Sequence, residues 1–165
     1  MTTPSVREAT TGDVESIVDI AEDAWYAAYG GLLDPPVIAE AVSEYYDRAL
    51  VEAGIDHDAI AFYVAELQGS VVGFASAERT WADEIELHTL YVHPDRWGEG
   101  IGSALVDRVV SWAREEGVDR IACGVLADNV VGVGFFEAVG FARGRETEAE
   151  IAGQIHPEYE FELPV

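Results

Sequence analysis

The segment 87–117 contains four structural signals in direct succession. An apolar run at residues 87–92 predicts a β-strand, and Pro94 ends it. Glycines follow at positions 98, 100 and 102, and apolar residues then recur every three or four positions as far as Gly117. The segment is therefore predicted to form a strand, a tight glycine turn and an amphipathic helix.

The glycine turn is a candidate anion site. Glycines just before a helix let the backbone turn tightly and leave the first N–H groups of the helix pointing outward. The positive end of the helix dipole favours an anion there, so phosphate is the predicted ligand. An ordinary strand-to-helix turn, in which the glycines serve only close packing, is the alternative that this pattern leaves open.

Two nucleotide-binding motifs can be tested against the turn by their spacing. A P-loop requires Gly-x-x-x-x-Gly-Lys-Ser/Thr, but the chain contains no lysine. A dinucleotide fingerprint requires Gly-x-Gly-x-x-Gly, which the glycines at 98, 100 and 102 do not provide. Both motifs are excluded.

The turn resembles the acyl-CoA signature of the GNAT superfamily of N-acetyltransferases, Gln/Arg-x-x-Gly-x-Gly/Ala. Residues 97–102 are Trp-Gly-Glu-Gly-Ile-Gly, so Trp97 replaces the usual Gln or Arg, and Glu99 stands where a basic residue is frequent. Residues 129–141, Asn-Val-Val-Gly-Val-Gly-Phe-Phe-Glu-Ala-Val-Gly-Phe, are similar to a second family segment, Asn-x-x-Ala-x-x-Phe-Tyr-Glu-x-x-Gly-Phe. Together the two matches indicate this family more strongly than either does alone.

The remaining pattern predicts the element order β-α-α-β-β-β-α-β-α-β-β. The first strand is expected at 5–8, two helices between 14 and 53, a hairpin turn at 68–70 and a closing hairpin within 142–163. This order is also that of the GNAT fold. The predicted fold class is α/β (α+β), with a mixed, mostly antiparallel sheet of about seven strands and helices on both faces. We expect a single domain over residues 1–165.

The resemblance implies acetyl-CoA as a cosubstrate and assigns its contacts by position. The backbones of the turn and helix start would hold the pyrophosphate, with Arg96 as the nearest cation. The strand before the turn would pair with pantetheine as an added strand, and Asn129 would hydrogen-bond to that arm. The residues implied in cofactor binding are Leu90, Tyr91, Val92, Arg96, Trp97, Gly98, Glu99, Gly100, Ile101, Gly102, Ser103, Asn129, Phe135 and Phe136.

The resemblance further implies acetyl transfer to a primary amine of a small molecule or peptide, by direct attack in a ternary complex. The family's frequent general base falls on Glu86, and strand alternation places Glu84, Glu86 and His88 on one face. His88 is the second candidate base because imidazole titrates near neutral pH. A solvated acid at Glu86 and a core or surface histidine at 88 are the alternatives.

The general acid cannot be assigned from the sequence. Phe136 occupies the position of the tyrosine that, in many family members, protonates or hydrogen-bonds the leaving CoA thiolate. Tyr29, Tyr91 or Tyr159 could replace that tyrosine as the general acid, or the thiolate could leave with help from solvent alone.

The acceptor pocket is less defined than the cofactor site. Trp25 and Tyr29 lie in a segment similar to the family's first-helix region, which walls that pocket, although helical aromatics are also common in cores. Glu84 would contribute to an acidic cleft that suits a cationic amine. The four histidines lack the spacing of metal ligands, so no metal is predicted.

The formal net charge is −23, and all nine basic residues are arginines. Such a surface repels nucleic acid and anionic lipid, and dense acidity is a halophile device. We therefore expect a halophilic protein, with a docking surface for a cationic partner as the alternative.

The sequence contains neither a long apolar segment nor a signal-peptide pattern, so we expect a cytoplasmic protein without a membrane span. Cys123, the single cysteine, is expected to be buried.

Two other functions stay open at this stage. A non-catalytic regulatory module that binds acyl-CoA is indicated by Phe136, which cannot donate a proton. A scaffold domain without cofactor is indicated by Trp97 and Glu99, where a positive residue is expected. The final strands are expected to be exposed, which would allow a homodimer.

Overall fold

The computed structural model describes residues 3–165. Its elements are β1 (Ser5–Glu8), α1 (Val14–Tyr29), α2 (Pro35–Tyr45), α3 (Arg48–Asp56), β2 (Ile60–Leu67), β3 (Ser70–Trp81), β4 (Glu84–Val92), α4 (Ile101–Glu116), β5 (Arg120–Leu126), α5 (Val130–Ala138), β6 (Ala142–Ile151) and β7 (Gln154–Pro164). The predicted succession of strands and helices is confirmed except in one place.

The helix predicted after Asp34 is wrong in its extent, because the chain forms two helices there. Tyr46 leaves the helical conformation with φ −126° and ψ 31°. The Asp47 side chain then accepts the Ala49 N–H at 3.1 Å and caps α3. The break buries the Tyr46 ring, whose centroid lies 5.8 Å from that of Tyr91. Burial of this ring explains why the apolar pattern does not continue as a single helix.

The sheet has seven strands in the order β1-β2-β3-β4-β5-β7-β6. β4 and β5 are parallel, and the other neighbours are antiparallel, so the sheet is mixed and mostly antiparallel as predicted. The parallel pairing is short: its last pair joins Glu86 to Ala122. Beyond that pair β4 and β5 diverge, which leaves a cleft in the middle of the sheet.

A β-bulge in β4 changes which residues face each side of the sheet. Ser76 of β3 pairs with Thr89, whereas Ala77 pairs with Leu87, so His88 is the extra residue. Before the bulge the odd-numbered residues of β4 face the core beneath α4, and after it the even-numbered residues do. The simple alternation expected along β4 therefore ends at His88.

Helices cover both faces of the sheet, as predicted. One apolar core lies between the sheet and the pair α4 and α5, with Leu105 and Phe161 fully buried in it. The other lies between the sheet and α1 to α3, and contains Ile17, Ile38 and Phe74. None of the helices described within residues 3–165 is long and apolar enough to cross a membrane.

The net charge of −23 predicts that salt stabilises the fold. Raising KCl from about 0.1 M to 1 M shortens the Debye length from about 10 Å to about 3 Å and weakens repulsion between the carboxylates. We expect Tm to rise by at least about 4 °C, which corresponds to roughly 1 kcal/mol or more for a domain of this size. Circular dichroism melts across a KCl series measure this, and an unchanged Tm would contradict the halophile interpretation.

Candidate active site

A cavity of about 670 Å³ opens where β4 and β5 diverge. Its lining includes residues 87–92 of β4 and residues 123–126 of β5, together with the glycine turn and the start of α4. Residues of α1, the end of α2, α5 and the β6–β7 hairpin complete it. A concave, mostly apolar pocket of this size with a few converging polar groups is typical of a small-molecule site.

The glycine turn is open toward this cavity. Gly98 and Gly100 both have φ +82°, which favours glycine, and a Cβ added at either position would meet nothing within 4 Å. The Ala104 N–H donates to the Gly100 carbonyl at 3.1 Å. The amides of residues 101–103 precede that bond and are the ones that a helix start leaves for an external acceptor. The turn therefore has the backbone geometry of an anion site.

The third glycine has a different role. A Cβ at Gly102 would lie 2.8 Å from the Phe135 ring, so this glycine allows α5 to pack closely on α4. The alternative left open by the sequence, glycines for packing alone, thus applies to Gly102 but not to Gly98 or Gly100.

Trp97 and Arg96 flank the turn. The Trp97 indole N–H donates to the Val92 carbonyl at 2.9 Å, which holds the ring at the end of β4 and leaves the positions of Gly98 and Gly100 open. The Arg96 guanidinium lies 3.5 Å from the Glu99 carboxylate. An anion in the turn would therefore compete with Glu99 for Arg96.

Asn129 connects two helices across the cavity. Its side-chain oxygen accepts the Gly132 N–H at 3.0 Å and caps α5, and its Nδ2 donates to the Tyr29 hydroxyl at 3.2 Å. Burial raises the pKa of Tyr29, so its hydroxyl stays protonated at neutral pH.

An aromatic wall closes another side of the cavity. The ring centroids of Trp25 and Tyr29 are 4.7 Å apart, and Tyr46 and Tyr91 pack edge to face nearby. Burial raises the pKa of Tyr46 to about 12. The Tyr45 hydroxyl donates to the Glu150 carbonyl at 3.3 Å and joins α2 to β6. Neither Tyr45 nor Tyr46 was predicted as a site residue: the sequence placed Tyr45 only on the buried side of the second helix, and Tyr46 lies at the unpredicted break after α2.

His88 lines the cavity, whereas Glu86 and Glu84 lie outside its lining. His88 Nε2 is 3.0 Å from Glu78 Oε2, and its Nδ1 is 4.0 Å from Glu86 Oε1. Glu84 binds Arg120, with Oε2 2.9 Å from Nη2 at the point where β4 and β5 are still paired. The structure thus places Glu84 in an ion pair with Arg120, and Glu86 just outside the cavity, next to His88.

The other positions implied by the resemblance lie together, with one exception. Leu90, Tyr91, Val92, Arg96, Trp97, Gly98, Gly100, Ile101, Gly102, Ser103, Asn129, Phe135 and Phe136 line the same cavity, as do Trp25 and Tyr29. The exception is Glu99. Among the open substitutes for the acid, Tyr29 and Tyr91 line the cavity, while Tyr159 lies outside the lining and under the Arg143 guanidinium.

Glu158 is a cavity residue that the sequence did not indicate. It lies on β7 opposite Leu126, and its carboxylate rests on Gly124 of β5. Burial raises its pKa, and the neighbouring Glu160 and Glu86 raise it further. No local signal distinguishes it, because it is one of 32 acidic residues in the chain.

Residues 14–141 match the Acetyltransferase (GNAT) family. The chain belongs to this family. It is similar to an uncharacterized N-acetyltransferase of Methanocaldococcus jannaschii, at 26% identity over 145 residues, 84% of this chain and 61% of that protein. It is also similar to the amino-acid acetyltransferase of Mycobacterium tuberculosis, at 36% identity over 123 residues, 71% of this chain and 65% of that protein. The chain thus spans less than two thirds of the length of these two curated relatives.

The fold of this GNAT chain is similar to that of a solved relative. The crystal structure of PaiA N-acetyltransferase from Thermoplasma acidophilum in complex with coenzyme A superimposes with a TM-score of 0.86 at 20% identity, covering 99% of each chain. The seven-stranded architecture therefore agrees with the GNAT fold.

Cys123 of this GNAT chain is buried beside the cavity, as the sequence predicted. Burial raises the pKa of its thiol to about 12, with smaller contributions from Glu158 and Glu86. A protonated thiol is a poor nucleophile. Cys123 is therefore unsuited to forming an acyl-enzyme.

Proposed function

We propose that this protein transfers the acetyl group of acetyl-CoA to a primary amine of a small molecule or peptide by direct attack in a ternary complex. The observation that carries the proposal is the cleft between β4 and β5, which is continuous with the open glycine turn. The thioester arm would lie along residues 90–92 as an added strand. The diphosphate would bind at the amides of residues 101–103.

The chemistry has three requirements. The acceptor ammonium must lose a proton, the thioester carbonyl oxygen needs a hydrogen-bond donor as negative charge develops, and the thiolate must depart. In the proposal, a backbone amide of β4 beyond the last β5 pair supplies the donor. Tyr29 and Tyr91, whose pKa values are raised by burial, can donate a hydrogen bond to the thiolate, whereas Phe136 cannot.

Glu86 and His88 belong to the proton path in this proposal. His88 lines the cavity, and Glu86 lies next to it with a side chain that is 48% exposed. His88 Nε2 also lies 3.0 Å from the Glu78 carboxylate. The pair is therefore placed to pass a proton from the cavity to solvent.

The acceptor is proposed to lie against the aromatic wall of Trp25 and Tyr29. Two glutamates of the β6–β7 hairpin, Glu150 and Glu158, also line the cavity. Carboxylates and aromatic faces together favour a cationic amine. Glu84 is not assigned a contact with the acceptor, because Arg120 already holds its carboxylate.

Two measurements test this function: calorimetry for the binding of acetyl-CoA and an assay of thiol release for turnover. Saturating acetyl-CoA should bind, and at about 100 times Kd it should stabilise the fold by about 2.7 kcal/mol. Thiol release measured with pooled amines in molar KCl should then detect transfer.

A second candidate, a non-catalytic acyl-CoA-binding module, is favoured by Phe136 and predicts binding without release. A scaffold domain predicts neither binding nor stabilisation.

A further inference from the structure

We infer that Glu158 is the group that holds the ammonium of the acceptor and takes its first proton. The inference rests on the proposed acetyl transfer and adds to it a residue on β7 with a specific role. It also restricts the acceptor to amines that enter the cavity as cations. Four features of Glu158 support it: its position, its lack of a cationic partner, its surroundings and the chemistry that they allow.

The position of Glu158 is fixed by strand pairing. β7 lies between β5 and β6, and Glu158 is paired with Leu126 in the part of β5 that has diverged from β4. The carboxylate lies on the backbone of β5, because a Cβ at Gly124 would be 2.5 Å from Glu158 Oε1. Glycine at 124 thus makes room for this carboxylate in the lining of the cavity.

The other two glutamates of β7 are paired with arginines, and Glu158 is not. Glu160 is 3.3 Å from Arg145, and Glu162 is 3.2 Å from Arg120. Within residues 3–165, no arginine lies within ion-pair distance of the Glu158 carboxylate. A partly buried carboxylate without a partner is costly. The ammonium of a bound acceptor would supply the missing cation.

The groups around Glu158 are mostly acidic or neutral. Glu86 of β4, Cys123 of β5, Glu160 of β7 and Tyr29 of α1 interact with it electrostatically, and His88 of β4 and Glu150 of β6 line the same cavity. Burial raises the pKa of Glu158 above its usual 4.5, and Glu160 and Glu86 act in the same direction. A general base works best when its pKa approaches the working pH. The surroundings therefore make Glu158 a better base than an exposed glutamate.

The step balances without a further reactant. Glu158 takes one proton from the ammonium, and the freed lone pair attacks the thioester carbonyl carbon to form the C–N bond. The C–S bond then breaks, and the CoA thiolate leaves. The second proton lost by the nitrogen ends on the thiolate, which gives the thiol. The proton on Glu158 passes to solvent by way of His88 and Glu86.

Glu158→Gln tests the inference, with Glu162→Gln as the matched control on the same strand. With any amine that the wild type acetylates, we expect kcat/KM of Glu158→Gln to fall by about 100-fold or more. Calorimetry should show acetyl-CoA affinity within about twofold of the wild type, because the cofactor contacts are intact. Removing one carboxylate from an acidic cluster should leave Tm unchanged or higher. The control should keep kcat/KM within about twofold.

The pH profile separates a base from a merely structural residue. In the wild type, kcat/KM should fall as pH drops through the raised pKa of Glu158, because the protonated carboxyl cannot accept a proton. This acidic limb should vanish in Glu158→Gln. It should persist in His88→Ala, which excludes the imidazole as its source.

The outcomes are distinct. If the wild type acetylates an amine and Glu158→Gln retains its kcat/KM, the inference is overturned while the function stands. The same conclusion follows if Glu86→Gln removes the acidic limb and Glu158→Gln does not. If the wild type binds acetyl-CoA but releases no thiol with any amine, the proposed function fails and the inference fails with it.

Discussion

Replacing Ser103 by glutamate is expected to weaken acetyl-CoA binding by about 10- to 100-fold without destabilising the fold. Ser103 is exposed in the first turn of α4 and lines the cavity beside the open glycine turn. A carboxylate there interacts favourably with the helix dipole in the free protein. It also lies where the diphosphate would bind and repels it. The substitution thus separates ligand affinity from stability.

The matched control for this substitution is Ser103→Gln, which has nearly the same shape and no charge. Calorimetric titration with acetyl-CoA should show that the glutamine variant loses much less affinity than the glutamate variant. The gap between them should narrow at about 1 M KCl, where the Debye length is about 3 Å. Equal affinities for the two variants, or for Ser103→Glu and the wild type, would mean that the diphosphate does not bind at this helix start.

Replacing Phe161 by alanine is expected to lower the free energy of unfolding by about 3–5 kcal/mol. Phe161 is fully buried at the centre of the core beneath α4 and α5, with its ring centroid 6.1 Å from that of Phe136. Alanine would leave a cavity between β7 and α5. Because domains are typically stable by about 5–15 kcal/mol, the loss would be a large share of the total.

Urea unfolding in molar KCl measures the effect of Phe161→Ala, with Phe161→Leu as the control that retains most of the buried volume. The leucine variant should lose less than half as much free energy. A loss below about 1 kcal/mol for the alanine variant would show that the surrounding core collapses onto the space. In that case β7, the strand that carries Glu158, is not anchored by this ring.

The sequence by itself determined the central strand, the glycine turn and the helix, because each is encoded locally. Left-handed backbone at Gly98 and Gly100 favours glycine, proline ends the strand, and apolar spacing defines the helix. The two family motifs could be recognised because they too are encoded locally in the sequence. The match over residues 14–141 confirms the family.

A local start signal for a helix can be present in the sequence and still be outweighed by the apolar spacing around it. Asp47 caps α3 and is a recognisable start signal, yet the apolar spacing on either side of it predicted one continuous helix. The break depends on burying Tyr46 against Trp25 and Tyr91, which are distant in sequence. Contacts of that kind exist only once the elements have assembled.

Only the tertiary structure decided which acidic side chains face the cavity. The bulge at His88 and the divergence of β4 from β5 follow from strand register, which pairs residues far apart along the chain. Glu158 reaches the cavity because β7 pairs with β5 and glycine stands at 124, whereas Glu84 is held away by Arg120. Each is one glutamate among many in the sequence, and only the pairing of distant strands gives them different surroundings.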